Sequence, residues 1–258
     1  MNLYTYITAE SFYQSLEKCV NADTFDIPAV NLMHIVPSEE YMYGLSLLRK
    51  AIEEYESEHD IPLAKSKRDV PFFRENSRML VGPEYGLFII PLYENPTMPK
   101  LASNEGVISI ILNSEKLTEY CLFENIFLLK CKYDEKQTID IFKSQLEKEY
   151  DKFFYDEEHS GFTADSKFFS MMCNACLEVR PPSFAWDKEW RMTLLKSPEE
   201  TTYKYKEGML YPYLTVSLPM DCITQISLLN KEEQPLLNGS FMNFMKSKGI
   251  PPELYLEE

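Results

Sequence analysis

The residues that could do chemistry are concentrated in one short segment. The sequence PPSFAWDKEWRM occupies residues 181–192, and its two prolines end the preceding helix. Because successive side chains of a strand point to opposite faces, Asp187, Glu189 and Arg191 are predicted to share one face. The simplest interpretation is a solvated polar face with an ion pair. The alternative is a catalytic strand, in which Glu189 stabilises an oxocarbenium-like transition state, as in glycosyl and ADP-ribosyl transfer.

Other patterns that could support catalysis or metal binding are weaker. His34, His59 and His159 are far apart in the sequence and accompany no convincing serine or cysteine nucleophile, so a catalytic triad is not expected. Cys173 and Cys176 form a CxxC motif, but no second ligand pair follows, so we expect no metal and two apolar side chains on one helix face. The absence of GxGxxG and GxxxxGK[ST] segments argues against a Rossmann dehydrogenase and a P-loop hydrolase.

Composition excludes several classes of protein. The 41 acidic and 26 basic side chains give a net charge of -15, which opposes general binding to nucleic acid, although a locally held nucleic-acid target stays possible. With 45% hydrophobic residues the chain can bury a large core. The sequence has no apolar run long enough for a membrane span and no secretory signal pattern. We therefore expect a cytoplasmic protein whose six cysteines are free thiols.

Strands and helices are spread along the chain and must position the segment around Glu189. Strands are predicted over residues 3–6, 85–93, 106–113, 125–134, 188–195, 208–218 and 222–229. Helices are predicted after a Thr8 cap, from a Ser38 cap, and over residues 134–154, 164–177 and 240–248. Pro91 indicates an edge position or the end of its strand. This order favours α+β: one mixed domain over residues 1–258, with central strands and flanking amphipathic helices.

Four segments resemble those of a known bacterial family. They are LYTYITAESF at 3–12, EEYMYGLSLL at 39–48, the strand, loop and strand at 86–113, and FAWDKEWRM at 184–192 with the strands at 207–226. Each motif is weak alone, but their shared order spans most of the chain. The sequence is therefore similar to the family called domain of unknown function 2971. Its members often lie near abortive-infection and toxin genes, and their fold is similar to that of ADP-ribosyltransferases.

The resemblance implies a site for NAD as substrate. In such a site Glu189 would stabilise the ribosyl cation, Asp187 would take the first place of the family's Glu-x-Glu pair, and Arg191 would hold a phosphate or anchor Glu189. The residues implied to contact NAD are Tyr4, Thr5, Tyr6, Glu40, Glu94 and Tyr213. The resemblance thus predicts an ADP-ribosyltransferase-like effector or toxin of a bacterial defence system.

Several positions depart from the family pattern. Thr5 stands where relatives can have a basic or imidazole side chain, and Val36 and Pro37 replace an Asn-Asp pair. Asp187 is one methylene shorter than the glutamate it replaces. The loop 95–103 lacks the expected tryptophan and arginine. Because these losses fall in polar positions of the site, they predict a weakened or abolished active site.

Two other hypotheses therefore stay open. One is a non-catalytic relative that acts as a protein-binding or regulatory subunit, with its acidic helices covering a basic partner. The other is a glycosidase or nuclease, in which same-face strand positions place Asp187 and Glu189 about 6.5 to 7 Å apart. The enzymatic hypotheses make a structural prediction. Tyr6, Glu94, Glu189 and Arg191 should line one cleft.

Overall fold

The computed structural model describes residues 1–18, 23–62, 86–96, 106–150, 167–206, 208–229 and 235–255. The described strands form one nine-stranded antiparallel sheet. The strands are β1 (Asn2–Thr8), β2 (Thr24–Asn31), β3 (Gly86–Tyr93), β4 (Val107–Asn113), β5 (Phe127–Lys130), β6 (Glu189–Lys196), β7 (Thr202–Lys206), β8 (Met209–Pro219) and β9 (Ile223–Leu228). The helices are α1 (Ala9–Lys18), α2 (Leu32–Ile35), α3 (Ser38–Glu58), α4 (Ser114–Phe123), α5 (Glu135–Glu149), α6 (Lys167–Glu178) and α7 (Pro235–Ser247). The predicted mixed α+β class is confirmed, while the single domain over 1–258 stays a prediction.

The sheet branches at β3. One edge of β3 pairs with β6 along its whole length, from Gly86 opposite Lys196 to Tyr93 opposite Glu189. Its other edge is shared, because β2 faces it only at Phe88 and Ile89 and β1 faces it at Tyr93. The strand order through this edge is β7-β8-β2-β3-β1-β4-β9, and β5 extends the sheet beyond β6.

Pro91 lies at the branch, between the contacts of β3 with β2 and with β1. Its carbonyl accepts a hydrogen bond from the Thr5 hydroxyl at 3.0 Å, so a side chain replaces the missing strand there. A proline has no N–H to donate to a strand ladder, which suits a position that no described strand faces. The expectation of an edge position or a strand end was therefore partly right. Pro91 lies inside a strand, at an interruption of one edge.

Each face of the sheet carries its own core. On one face, called the Phe88 face, side chains of α1, α4 and α7 cover the strands. Typical members of this core are Phe12, Phe25, Phe88, Ile110 and Phe241. On the opposite face, called the Glu189 face, α3, α5 and α6 cover β3, with Leu48, Ile52, Ile89, Phe142 and Met172 in the core. The strand alternation decides which side chain enters which core.

The two predicted helix caps had different outcomes. Thr8 caps α1 as expected, because its hydroxyl accepts a hydrogen bond from the Ser11 N–H at 3.2 Å. The Ser38 cap was wrong, since Pro37 takes the N-cap position of α3 and no side chain caps the helix. The Pro37 carbonyl accepts from the Glu40 N–H at 2.9 Å and starts the helix instead. The helix start is nevertheless where the sequence placed it.

A close contact between α3 and α6 brings Glu40 towards the sheet. Gly44 follows Glu40 by about one turn of α3, and a Cβ atom at Gly44 would overlap the backbone carbonyl of Ala175. Glycine therefore allows the two helix backbones to touch at this point. The contact places the first turn of α3 beside the residues that follow α6.

We expect Gly44→Ala to lower the free energy of unfolding by about 1 to 3 kcal/mol, because the added methyl group must push α3 away from α6. Gly239→Ala is the matched control, since no atom lies within 4 Å of a Cβ at that position of α7. The control should raise stability by about 0.5 to 1 kcal/mol through helix propensity alone. Urea denaturation measures both values, and equal stability of Gly44→Ala and the natural chain would contradict the close contact.

Candidate functional site

The acidic segment predicted from the sequence enters the interior of the protein. Glu189 and Arg191 lie on β6, opposite Tyr93 and Pro91 of β3, and they share a face as expected. Asp187 lies in the turn before β6 rather than in the strand. The exposed fractions are 7% for Asp187, 4% for Glu189 and 1% for Arg191. The interpretation as a solvated polar face is therefore wrong, because helices cover this face.

Arg191 is held on all sides. Its Nε donates to Oε1 of Glu189 at 2.5 Å, and its Nη2 donates to Oε1 of Glu40 at 2.5 Å. Its Nη1 donates to the Leu177 carbonyl at 3.0 Å, at the end of α6. Arg191 thus joins β6 to α3 and α6 through one guanidinium group. The role implied by the family resemblance, anchoring Glu189, agrees with this geometry.

Arg180 is the residue that the sequence analysis missed. Its Nε and Nη2 donate to the two carboxylate oxygens of Glu40 at 2.8 and 3.1 Å. Its Nη1 donates to Oδ2 of Asp187 at 2.9 Å and to Oε2 of Glu189 at 2.5 Å. The guanidinium carbon also lies 4.4 Å from the centre of the Phe184 ring. Arg180 therefore contacts all three carboxylates of the site.

We call Glu40, Arg180, Asp187, Glu189 and Arg191 the charge cluster. Two guanidinium groups face three carboxylates, and every member is at most 7% exposed. Burial lowers the pKa of both arginines, but the facing carboxylates raise it more, so the net shift of each arginine pKa is upward. Both arginines therefore stay charged, and the cluster is held by charge-assisted hydrogen bonds.

The tyrosines Tyr133 and Tyr93 close the cluster towards the sheet. The Tyr133 hydroxyl accepts a hydrogen bond from the Glu189 N–H at 2.8 Å. Burial raises the pKa of Tyr133 to about 12. Burial, followed by the nearby charge of Glu189, also raises the pKa of Tyr93. Both phenols therefore remain neutral near pH 7, and Tyr133 acts as a hydrogen-bonding group, not as a base.

Two arginine contacts and deep burial limit what Glu189 can do chemically. Its Oε1 accepts from Arg191 and its Oε2 accepts from Arg180, so both oxygens already face guanidinium groups. A carboxylate that stabilises a cation in a transition state must present an oxygen to the substrate. This geometry supports a structural role, in which the ion pairs hold β6 against α3 and against the end of α6.

The tyrosines predicted on β1 lie near the charge cluster. Tyr4 is opposite Tyr93, which is itself opposite Glu189 on β6. The rings of Tyr6 and Tyr93 have centroids 6.0 Å apart, so Tyr6 also lies on the Glu189 face. Burial raises the pKa of Tyr6 to about 12. Both residues are half-buried, and they are the predicted NAD contacts that approach Glu189 from the sheet.

Two other predicted NAD contacts point away from the charge cluster. Thr5 is 1% exposed and lies between Leu3 and Ile7, whose side chains belong to the Phe88 face. Glu94 accepts hydrogen bonds from Trp190 Nε1 at 3.0 Å and from Lys130 Nζ at 2.6 Å. Because Trp190 is adjacent to Glu189 in β6, its side chain and its partner Glu94 lie on the opposite face. The expectation of one shared cleft is therefore wrong for Glu94.

Tyr213 lines a different pocket. This pocket of about 240 Å³ lies between α1 and the strands β2 and β8, and no member of the charge cluster is part of its lining. Val36, one of the departures from the family pattern, is 6% exposed and belongs to the core of the Glu189 face. Of the predicted site residues, Glu40, Asp187 and Glu189 thus contact Arg180, and Arg191 contacts Glu40 and Glu189. The others are distributed around them.

The described residues form neither a metal site nor a membrane-spanning helix. Cys173 and Cys176 are buried on α6, as the sequence indicated. Within the described ranges, no group of three or more His, Cys, Asp or Glu side chains could hold a metal ion. No described helix combines the length and apolar character needed to cross a bilayer. His159 and the basic stretch 65–78 lie outside the described residues.

Comparisons of the chain with protein-family models, with curated proteins and with solved structures found no match. The function must therefore be argued from the geometry of the charge cluster and of the surfaces around it.

Arg180→Met should lower the free energy of unfolding by about 3 to 5 kcal/mol, because it leaves buried carboxylates without their cation. Arg180→Lys keeps the charge but not the planar fork of donors, so its loss should be smaller. The control is Lys196→Met, which breaks the exposed ion pair with Glu200 and should barely change the unfolding midpoint. Chemical denaturation tests the series. A change for both Arg180 variants no larger than that of the control would show that the cluster contributes nothing.

The buried cysteines predict a loss of stability at alkaline pH. Burial raises the pKa of Cys121, Cys131 and Cys173 to about 12, so the folded state retains protons that unfolded thiols release above about pH 8.5. A raised folded pKa contributes stability at low pH that is lost as pH rises, here between about pH 8.5 and 12. Urea midpoints across this range test the effect, and Cys131→Ala should reduce the slope. A midpoint that rises with pH would contradict it.

Proposed function

We propose that this chain is a protein-binding or regulatory subunit that keeps the framework of ADP-ribosyltransferase-like proteins without their catalysis. One observation carries the proposal. Glu189, the residue that would stabilise a ribosyl cation, has both carboxylate oxygens bound by arginines and is 4% exposed. Thr5 and Val36 replace polar side chains of the family pattern, and both are buried. These two departures also support a protein without catalysis.

An exposed apolar patch supplies a surface for a protein partner. Leu122, Phe123 and Phe127 are 75%, 83% and 65% exposed, and we call them the apolar patch. They lie at the end of α4 and the start of β5, which pairs with β6 and with no other described strand. Phe127 is opposite Thr193 and so faces the Glu189 side of this edge, whereas α4 packs on the Phe88 side. Exposed apolar side chains around an open sheet edge are typical of protein-interaction sites.

Charge around the apolar patch defines the partner. Glu119 and Glu124 are exposed beside it. The lysines of α4 and β5 are already paired, Lys116 with Asp221 at 3.2 Å and Lys130 with Glu94 at 2.6 Å. The rim is therefore negative, in a chain of net charge -15. A partner that presents an apolar segment flanked by lysine or arginine complements this surface.

The acidic helices contribute less than the sequence suggested. Lys143 of α5 lies 2.5 Å from Glu58 and 3.6 Å from Glu54 of α3, and Lys50 of α3 lies 2.9 Å from Glu135 of α5. Some of the acidic side chains of α3 and α5 are thus neutralised by ion pairs between the two helices. For this reason we assign docking to the apolar patch and give the acidic surface a steering role.

The double variant Phe123→Asp, Phe127→Asp should lose a partner that the natural chain binds. A tagged chain is used to capture proteins from its host cell at low salt, and stoichiometric bands are compared by mass spectrometry. The matched control is Tyr205→Asp on β7, where the ring is 72% exposed on another strand. We expect at least about a tenfold loss of one partner in the double variant only, as for hot-spot residues. Absence of any stoichiometric partner, or equal capture by both variants, would contradict the proposal.

NAD-dependent ADP-ribosyl transfer to a protein or nucleic-acid target is the second candidate. Its support is the position of Tyr4, Tyr6 and Tyr93 on the same face as Glu189. Calorimetric titration with NAD and an assay for nicotinamide release distinguish the two candidates. Under our proposal the natural chain neither binds NAD nor releases nicotinamide. Turnover that Glu189→Gln abolishes, while the variant stays folded, would replace the proposal with the second candidate.

A further inference from the structure

The pocket that contains Tyr213 exists because the sheet branches. Among the described strands, β2 contacts β3 only near its end, at Val30 and Asn31, and its earlier residues pair only with β8. The chain leaves β1 as α1 and crosses this opening before it returns as β2. One side of α1 packs through Phe12 into the core of the Phe88 face. Its polar side is left facing β2 and β8, and the pocket of about 240 Å³ lies between them.

The floor of the pocket is aromatic and apolar. Tyr213 of β8 is opposite Val30 of β2, and Thr215 is opposite Pro28, so these four side chains lie on one face of the strand pair. Tyr211 extends the same row. In the part of the chain that the structure describes, the hydroxyls of Tyr211 and Tyr213 have no hydrogen-bond partner. The Tyr211 ring also contacts the His34 ring, with centroids 5.0 Å apart, so the Tyr213 ring is the more available of the two to a ligand.

The rim of the pocket is acidic. Glu10 of α1 and Asp26 of β2 line it together with one cation, Lys204. Asp26 accepts from the Ser217 hydroxyl at 2.6 Å and Glu10 accepts from the Gln14 amide at 2.9 Å, which fixes both carboxylates. Lys204 donates to Gln14 at 3.3 Å and not to a carboxylate. Two carboxylates against one ammonium group leave the pocket negative.

We propose that this pocket binds an organic ammonium group carried on a short apolar body. The carboxylates would pair with the cation, the tyrosine faces attract it, and Val30 and Pro28 would contact the carbon chain. The volume is below the range of about 300 to 1,000 Å³ typical of drug-sized ligands, so the ligand is small. Phosphates and carboxylates are disfavoured by Glu10, by Asp26 and by the charge of the whole chain.

The same chemistry has two sources, a free alkyl amine or the lysine side chain of another protein. This inference goes beyond the proposed function, because no residue of the apolar patch or of the charge cluster lines the pocket. Its success or failure is therefore independent of the partner capture described above.

Calorimetric or NMR titration with cadaverine tests the free amine, and titration with Nα-acetyl-lysine amide tests the lysine side chain. AMP is the anionic comparison. We expect saturable binding of at least one amine, weakened about tenfold by Asp26→Asn and about tenfold by Tyr213→Ala, since each removes one attraction for the cation. Binding should also weaken when the salt concentration rises from 0.05 M to 0.5 M, roughly as screening predicts.

Two variants keep this test specific. Tyr213→Phe retains the ring and should keep most of the affinity, whereas Tyr205→Ala removes an exposed ring that is not part of the pocket and should change nothing. A preference for the lysine amide over cadaverine would identify a protein side chain as the occupant. The proposal would be overturned if AMP bound more tightly than either amine, or if Tyr213→Ala kept full affinity. It would also be overturned if neither amine bound at concentrations up to about 10 mM.

Discussion

The contact of Arg180 and Arg191 with three carboxylates is the interaction on which this side of the fold depends. Moving a charge out of water costs several kcal/mol unless its partners are in place, so a cluster that lacks one member is strongly unfavourable. Glu40 comes from α3, Arg180 follows α6, and Glu189 begins β6. These three elements must therefore meet together. Gly44 makes the meeting possible by letting α3 touch α6.

The two arginine contacts of Glu189 and its burial explain why a strand that resembles a catalytic motif need not be catalytic. Lys188 adopts a left-handed backbone conformation with φ of 46°, between Asp187 and Glu189. This conformation is costly for a residue with a side chain and persists where the surrounding contacts over-determine it. Here it lets Asp187, in the turn, and Glu189, in the strand, reach the same Nη1 atom of Arg180. The strained backbone at Lys188 therefore allows these ion pairs to form.

Sequence patterns predicted helices and strands, which depend on neighbouring residues, and missed ion pairs between residues far apart in the chain. The apolar stripe of α3 and the strands β3, β4 and β6 were predicted because periodicity is a local property. Arg180 was missed because its partner Glu40 is 140 residues away, and no spacing rule connects them. The opposite faces of Tyr93 and Glu94 follow from strand parity. Placing Glu189 on the same face as Tyr93 required the register of β3 against β6, which only the structure gives.

Two of the prolines that lie in strands, Pro28 and Pro91, had a meaning that the sequence analysis did not use. The strand β2, which contains Pro28, was not predicted, and Pro91 was interpreted as an edge or an end because proline normally interrupts a ladder. In the structure both lie in strands that are paired on one side and have no facing strand among the described residues on the other side at that point. Two strands with central prolines therefore indicate a sheet that opens between them. In this protein α1 crosses that opening, and the pocket beside Tyr213 is the space that remains.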